Sequence, residues 1–143
     1  MRKDLRNLRY VFNPKSIAVI GASENPDKLG NVILKNLVDG GYEGKIYPVN
    51  PKYEELLGLK CYPRVGSIKK QVDLAIFAVP APIIPKLAEE CGKNGVRGIV
   101  VLSAGFGETG EKKLEERLGK IVLKHGMAMI GPNCLGVMNP EKR

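Results

Sequence analysis

The run Ile130-Gly131-Pro132-Asn133-Cys134-Leu135-Gly136-Val137 carries two side chains with usable chemistry, an amide and a thiol, set among residues that fix the backbone. Gly131 and Gly136 can take dihedrals closed to other residues and Pro132 locks its own φ, so the turn is built to present Asn133 and Cys134. Two plainer accounts stand beside that one. A Gly-Pro-Asn turn can simply end a strand, and Cys134 can be a small buried hydrophobe, as most cysteines are. The other loops of the chain weigh between these accounts.

The segment Gly21-Ala22-Ser23-Glu24-Asn25-Pro26-Asp27-Lys28-Leu29-Gly30 follows an apolar run and precedes a helical pattern. Its glycine lets the backbone approach a phosphate and Ser23 adds a hydroxyl, while the free amides of the following helix favour negative charge. With one early glycine and a long polar loop it departs from Gly-x-Gly-x-x-Gly, so it is a weak dinucleotide fingerprint. If Gly21 faces a pyrophosphate, Gly21→Val should cost ligand affinity before it costs stability. The next loop, Val49-Asn50-Pro51-Lys52, lacks the carboxylate that a NAD site uses to hold ribose hydroxyls, and offers a lysine instead. That favours a ligand with a phosphorylated ribose, NADP or coenzyme A, although an ordinary exposed lysine accounts for Lys52 taken alone. None of the five tyrosines is followed by lysine four residues later, so a short-chain reductase would lack its catalytic pair.

Two further loops have the same character. Ala78-Val79-Pro80-Ala81-Pro82 is stiff and apolar and could wall an adenine or a pantetheine, though prolines that open a helix need no ligand. Ser103-Ala104-Gly105-Phe106-Gly107-Glu108-Thr109-Gly110 is rich in small residues that permit close backbone approach.

Positioning such loops requires a sheet. Short apolar runs at Ser16–Ile20, Lys45–Val49, Leu74–Val79, Gly98–Leu102 and Met127–Ile130 read as strands buried on both faces. Helical patterns alternate with them. Leu29–Val38 places Leu29, Val32, Ile33, Leu37 and Val38 on one side and stops at Gly40-Gly41, and a second helix opens at Pro82 or Pro85 and runs to about Lys93. A third spans Glu111 to about Lys124 with Leu114, Leu118, Ile121 and Val122 inward, and residues 1–13 form a helical lead-in. The pattern predicts a single α/β domain over residues 1–143, a Rossmann-like three-layer sandwich on a mainly parallel five-stranded sheet, with strand order 3-2-1-4-5.

Composition narrows the function. The chain of 143 residues is 43% hydrophobic, enough for a normal core, and its net charge of +8 is spread over helical surfaces. No zinc-finger, helix-turn-helix or base-stacking signature accompanies that charge, so nucleic acid is not expected as a partner. Three cysteines without metal-ligand spacing indicate neither a disulfide framework nor a metal site, which fits a reducing cytoplasm. No segment approaches the ~18 to 20 apolar residues of a membrane span. The only histidine, His125, ends a helix before Gly126 and reads as a favourable donor at that terminus.

The ordered series Ser16-Ile17-Ala18-Val19-Ile20-Gly21-Ala22-Ser23, Tyr47-Pro48-Val49-Asn50-Pro51, Asp73-Leu74-Ala75-Ile76-Phe77-Ala78-Val79-Pro80, Ser103-Ala104-Gly105-Phe106 and Gly131-Pro132-Asn133-Cys134-Leu135-Gly136 resembles the N-terminal CoA-binding domain of the nucleoside-diphosphate-forming acyl-CoA synthetases, the group of ADP-forming acetyl-CoA synthetase and the succinyl-CoA synthetase α subunit. The match runs from about Tyr10 to Pro140. The resemblance implies that the loop holding Gly21, Ala22, Ser23, Asn25 and Lys28 faces the CoA phosphates, and that Val49, Asn50, Pro51 and Lys52 face the adenosine with its ribose phosphate. Val79 and Pro80 would line the cleft, Ser103, Ala104 and Gly105 the pantetheine arm, and Asn133 with Cys134 the thiol end, with Cys134 not a nucleophile. It also implies a catalytic phosphohistidine and an ATP-grasp partner domain or subunit elsewhere, so no catalytic residue is expected in this chain. A fragment of a synthetase and a stand-alone CoA-binding module both fit these residues, and an NADP-dependent reductase is the more distant reading.

Overall fold

The computed structural model describes residues 3–106, 110–136 and 139–140, with side chains from residue 6 onward. Gly107, Glu108, Thr109 and Val137, which belong to two of the loops singled out above, lie outside the described residues. In chain order the elements are α1 (Lys3–Phe12), β1 (Ser16–Ile20), α2 (Leu29–Asp39), β2 (Lys45–Val49), a hairpin of β3 (Glu55–Leu56) and β4 (Leu59–Lys60), β5 (Leu74–Phe77), α3 (Ile84–Lys93), β6 (Gly98–Val101), α4 (Lys112–His125) and β7 (Ala128–Ile130). The long strands form one parallel sheet in the order β2-β1-β5-β6-β7.

Strand alternation sends successive side chains to opposite faces, and helices cover both. Ala18, Ile20, Ala75, Phe77, Ile99 and Val101 face α3 and α4, where they meet Ile84, Ala88, Leu118 and Val122. Ile17, Val19, Leu74 and Val100 face the other way, toward Val11 of α1 and Leu34 of α2. This is the expected three-layer α/β sandwich.

Its strand order differs from the expected 3-2-1-4-5: in terms of the five long strands it is 2-1-3-4-5. The chain does not continue outward from β2. Its outer edge is taken at the carboxyl end by the segment just after the hairpin, where Tyr62 bridges to Val49 and the Tyr62 amide donates to the Pro48 carbonyl at 2.9 Å. The chain then crosses to the far side of β1. The reversal of strand order therefore falls between β1 and β5, the position at which doubly wound sheets open a ligand crevice. The hairpin itself was not legible in the sequence because each of its strands is two residues long.

Helix α2 also sits in a different rotation from the expected one. Leu29, Val32 and Val38 are exposed, Ile33 and Leu37 are half-buried, and Gly30, Asn31 and Leu34 are the buried residues. The cause is Gly30: a Cβ there would overlap the carbonyl oxygen of Gly21, so the helix rests on the preceding loop through this glycine and turns Leu34 inward. Strand ends are shorter than expected too, with Val79, Leu102 and Met127 outside the ladders. Pro82 falls in a 3-10 turn (Ala81–Ile83), and Pro85 in the first turn of α3.

Candidate functional site

All strands of a parallel sheet share a direction, so the loops after β1, β2, β5, β6 and β7 leave one edge. Backbone bonds tie them to one another there. The Gly21 amide donates to the Val49 carbonyl at 3.0 Å, Ala78 donates to Ile20 at 2.8 Å, and Asn133 donates to Ser103 at 3.1 Å. Side chains extend the network: Asn50 Nδ2 donates to the Ala22 carbonyl at 2.8 Å, and Ser103 Oγ donates to the Val79 carbonyl at 2.6 Å. Thus Gly21, Ala22, Val49, Asn50, Val79, Ser103 and Asn133 come together as one rim.

In the first loop Ser23 is buried and its Oγ accepts the Asn25 amide at 3.1 Å, while Asn25 Oδ1 accepts the Asp27 amide at 2.9 Å. These turns lead the chain into α2, where Lys28 stands at the N-cap with no side chain capping the helix and no acid in its first turn. The open end of a helix with that electrostatic profile suits an anion. In the second loop Asn50 Oδ1 accepts the Lys52 amide at 2.9 Å, leaving the Lys52 ammonium exposed and without an ion pair among the described residues. Pro51 and Pro80 are exposed and Val79 half-buried, and Ala104 is exposed beside the half-buried Gly105.

The glycines of the rim serve close packing. Gly21 has φ 91°, and a Cβ on it would overlap the Ala78 carbonyl oxygen and lie 2.7 Å from Val79 Cγ1. The expectation that Gly21→Val spares the fold is therefore corrected: the position is closed by the neighbouring strand end as well as lying on the rim. Gly131, with φ 101°, would overlap the Val101 carbonyl in the same way. Gly131-Pro132 is a cis peptide, Asn133 has φ 52°, and Cys134 Sγ donates to the Val101 carbonyl at 3.4 Å. Asn133 is exposed and Cys134 half-buried, so the turn presents the amide outward and anchors itself through the thiol.

Three supporting residues escaped the reading of the sequence. Asn31 Nδ2 donates to the Ser23 carbonyl at 3.0 Å from a buried position on α2. Tyr53 places its hydroxyl 3.5 Å from Ser23 Oγ, and Cys61 Sγ donates to the Asn50 carbonyl at 3.5 Å. The signal for Asn31 was an amide inside an amphipathic helix; for Tyr53 and Cys61 there was none, since their positions follow from the hairpin.

Among the described residues no group at this edge has the arrangement of a nucleophile with its base. Burial pushes the thiols of Cys61 and Cys91 up, and they pack as apolar side chains. His125 ends α4 just before β7 and so lies at the opposite edge, with Nε2 3.2 Å from Glu89 Oε2. Among the described residues no group of His, Cys, Asp and Glu could hold a metal ion, and no helix is long and apolar enough to cross a membrane. A cavity of about 930 Å³ lies on the sheet face between α1 and α2 over Ile17, Leu74, Ile76 and Val100. It is a gap in helix coverage with an apolar floor, bordered by Lys15, Asn36 and Lys45, and it lies on a sheet face away from the tied strand-end loops.

A family model described as a CoA binding domain matches residues 15–140. Acetate–CoA ligase [ADP-forming] of Methanocaldococcus jannaschii is 49% identical over 132 residues, covering 92% of this chain and 18% of that protein. The α subunit of acetate–CoA ligase [ADP-forming] II of Pyrococcus furiosus is 52% identical over 135 residues, covering 92% of this chain and 29% of its own length. Among solved structures, the dinucleotide-forming acetyl-coenzyme A synthetase 1 of Ca. Korarchaeum cryptofilum, in complex with phosphate and ADP, superposes with a TM-score of 0.88 at 46% identity, over 90% of this chain and 28% of that one. The chain thus spans less than a third of the length of each of these relatives.

Proposed function

The chain belongs to the CoA binding domain family, and from that premise we propose that it holds coenzyme A within an ADP-forming acyl-CoA synthetase, whose overall reaction exchanges acyl-CoA, ADP and phosphate for acid, CoA and ATP. The observation that carries this reading is the cross-tied rim at the carboxyl edge, placed where strand order reverses. The uncapped start of α2 with Ser23, Asn25 and Lys28 receives the pyrophosphate. Lys52 on the neighbouring loop takes the ribose phosphate, with Val49, Asn50 and Pro51 beside the adenosine. Val79 and Pro80 supply an apolar wall, Ser103, Ala104 and Gly105 let the pantetheine pass close to the backbone, and Asn133 with Cys134 meets the thiol end.

The roles of these groups are binding and orientation. Among the described residues no side chain on the rim is set up to transfer an acyl or phosphoryl group, and His125 is at the wrong edge to do so, so the chemistry is assigned to further domains or an ATP-grasp subunit. Holding the thiol end at an exposed turn leaves the acyl group accessible to such a partner. Calorimetry on the purified chain tests the reading: CoA should bind saturably, and more tightly than NADP. Absence of saturable CoA binding up to about 1 mM, a limit of roughly 4 kcal/mol, would overturn it.

A further inference from the structure

At the amino edge of the sheet, opposite the rim, α1, the C-terminal ends of α3 and α4, and the link from α3 to β6 border a cleft of about 710 Å³. Arg6, Arg9, Arg97 and Lys124 line it, and its lining contains no Asp or Glu among the described residues. Two of these cations converge on one ring. The guanidinium carbons of Arg9 and Arg97 lie 4.7 and 4.5 Å from the Tyr10 centroid, and both side chains donate to the Tyr10 hydroxyl. The nearby carboxylate, Glu89, is already engaged by Lys124 at 2.8 Å and His125 at 3.2 Å.

A plain account exists for part of this. Arg9, Lys124 and His125 stand in the last turns of α1 and α4, where a cation complements the helix dipole. It does not cover Arg97, which stands in the link between α3 and β6, nor the gathering of two guanidiniums on one phenol with no carboxylate paired to them among the described residues. Like charges held together and pre-oriented in this way are arranged for an incoming anion, because their forks are fixed before it arrives.

The kind of anion follows from the floor. Gly92 and Gly95 at the end of α3 and His125 at the end of α4 line the cleft, and helix carboxyl ends present carbonyl oxygens that repel a compact phosphate. Carboxylates on flexible stems can meet the guanidiniums at the mouth and stay clear of the floor. We propose that this cleft is a docking surface for an acidic polypeptide segment of a partner. It lies at the opposite end of the strands from the CoA rim, so both can be occupied together.

The test is fluorescence anisotropy of a short labelled poly-glutamate peptide on the intact chain, with CoA affinity measured in parallel. Arg9→Gln/Arg97→Gln should weaken peptide binding by about three- to tenfold, the worth of two partly exposed charge pairs. The control Lys35→Gln/Lys69→Gln, which removes equal charge from exposed sites, should change it by no more than roughly twofold. CoA affinity should stay at the parent value in both. Should the arginine pair prove important for folding, Arg6→Gln, at an exposed position, should still weaken the peptide more than either control lysine does singly. Equal losses in the arginine and lysine variants would overturn the proposal, as would displacement of the peptide by inorganic phosphate more effectively than by sodium chloride at the same ionic strength.

Discussion

Gly21 permits a test in which two physical costs can be measured apart. Gly21→Val puts a side chain on a backbone with φ 91°, overlapping the Ala78 carbonyl and 2.7 Å from Val79 Cγ1. The left-handed backbone costs a non-glycine residue about 1 to 2 kcal/mol, and overpacking adds about 1 to 3, for a total of about 2 to 5. Gly58 and Gly30 separate the two contributions. Gly58 has φ 76° with nothing within 4 Å of its Cβ position, so Gly58→Ala carries the backbone cost alone. At Gly30, outside the left-handed region, Gly30→Ala carries the overlap with the Gly21 carbonyl alone. At about 3 °C per kcal/mol for a domain of this size, Gly21→Val should melt about 6 to 15 °C below the parent, and each single-cost variant should fall between it and the parent. Ligand-free thermal unfolding provides the measurement. A Gly21→Val chain melting within about 2 °C of the parent would refute the argument that the strand ends close on this glycine.

Lys52→Ala should reduce the preference for CoA over dephospho-CoA, which calorimetry should show as several-fold in the parent and near unity in the variant, in line with ~0 to 1 kcal/mol for an exposed pair. Asn31→Leu removes the donor to the Ser23 carbonyl; the orphaned group should cost about 1 to 3 kcal/mol in denaturant unfolding, with weaker CoA binding because the first loop loses its tie to α2. Glu89 is held below the usual carboxyl value, first by Lys124 and then by His125, so its contribution is present above an unfolded value of ~4.3 and disappears as pH falls through the lower folded one. Glu89→Gln should therefore melt slightly below the parent at neutral pH, with the gap closing in acid and in high salt; a gap that widens in acid would reject the ion pair as its source.

How much of this was legible in the sequence depended on the range of the forces that place each part. Ser16–Ile20 appears at its expected bounds because a strand buried on both faces needs an apolar run that is visible locally, whereas Lys45–Val49, also at its expected bounds, is an edge strand in which Pro48 and Val49 alone are buried and Lys45 is exposed. The rim loops were legible for the same reason: glycine, proline and asparagine announce turns wherever they stand. Strand order was not legible, since it depends on where the chain goes after Pro51, and the two-residue strands of the hairpin leave almost no periodic trace. The rotation of α2 was misread because apolar count favoured Leu29, Val32 and Val38, whereas the absence of a side chain at Gly30 decided the contact. The same limit applies to Gly21. A glycine on a candidate phosphate loop looks like space left for a ligand, yet the atom that fills much of that space is the carbonyl oxygen of Ala78, fifty-seven residues further along the chain. Only the parallel pairing of β1 with β5 brings that oxygen there, so the strongest requirement for glycine at this site comes from the sheet that positions the ligand loops.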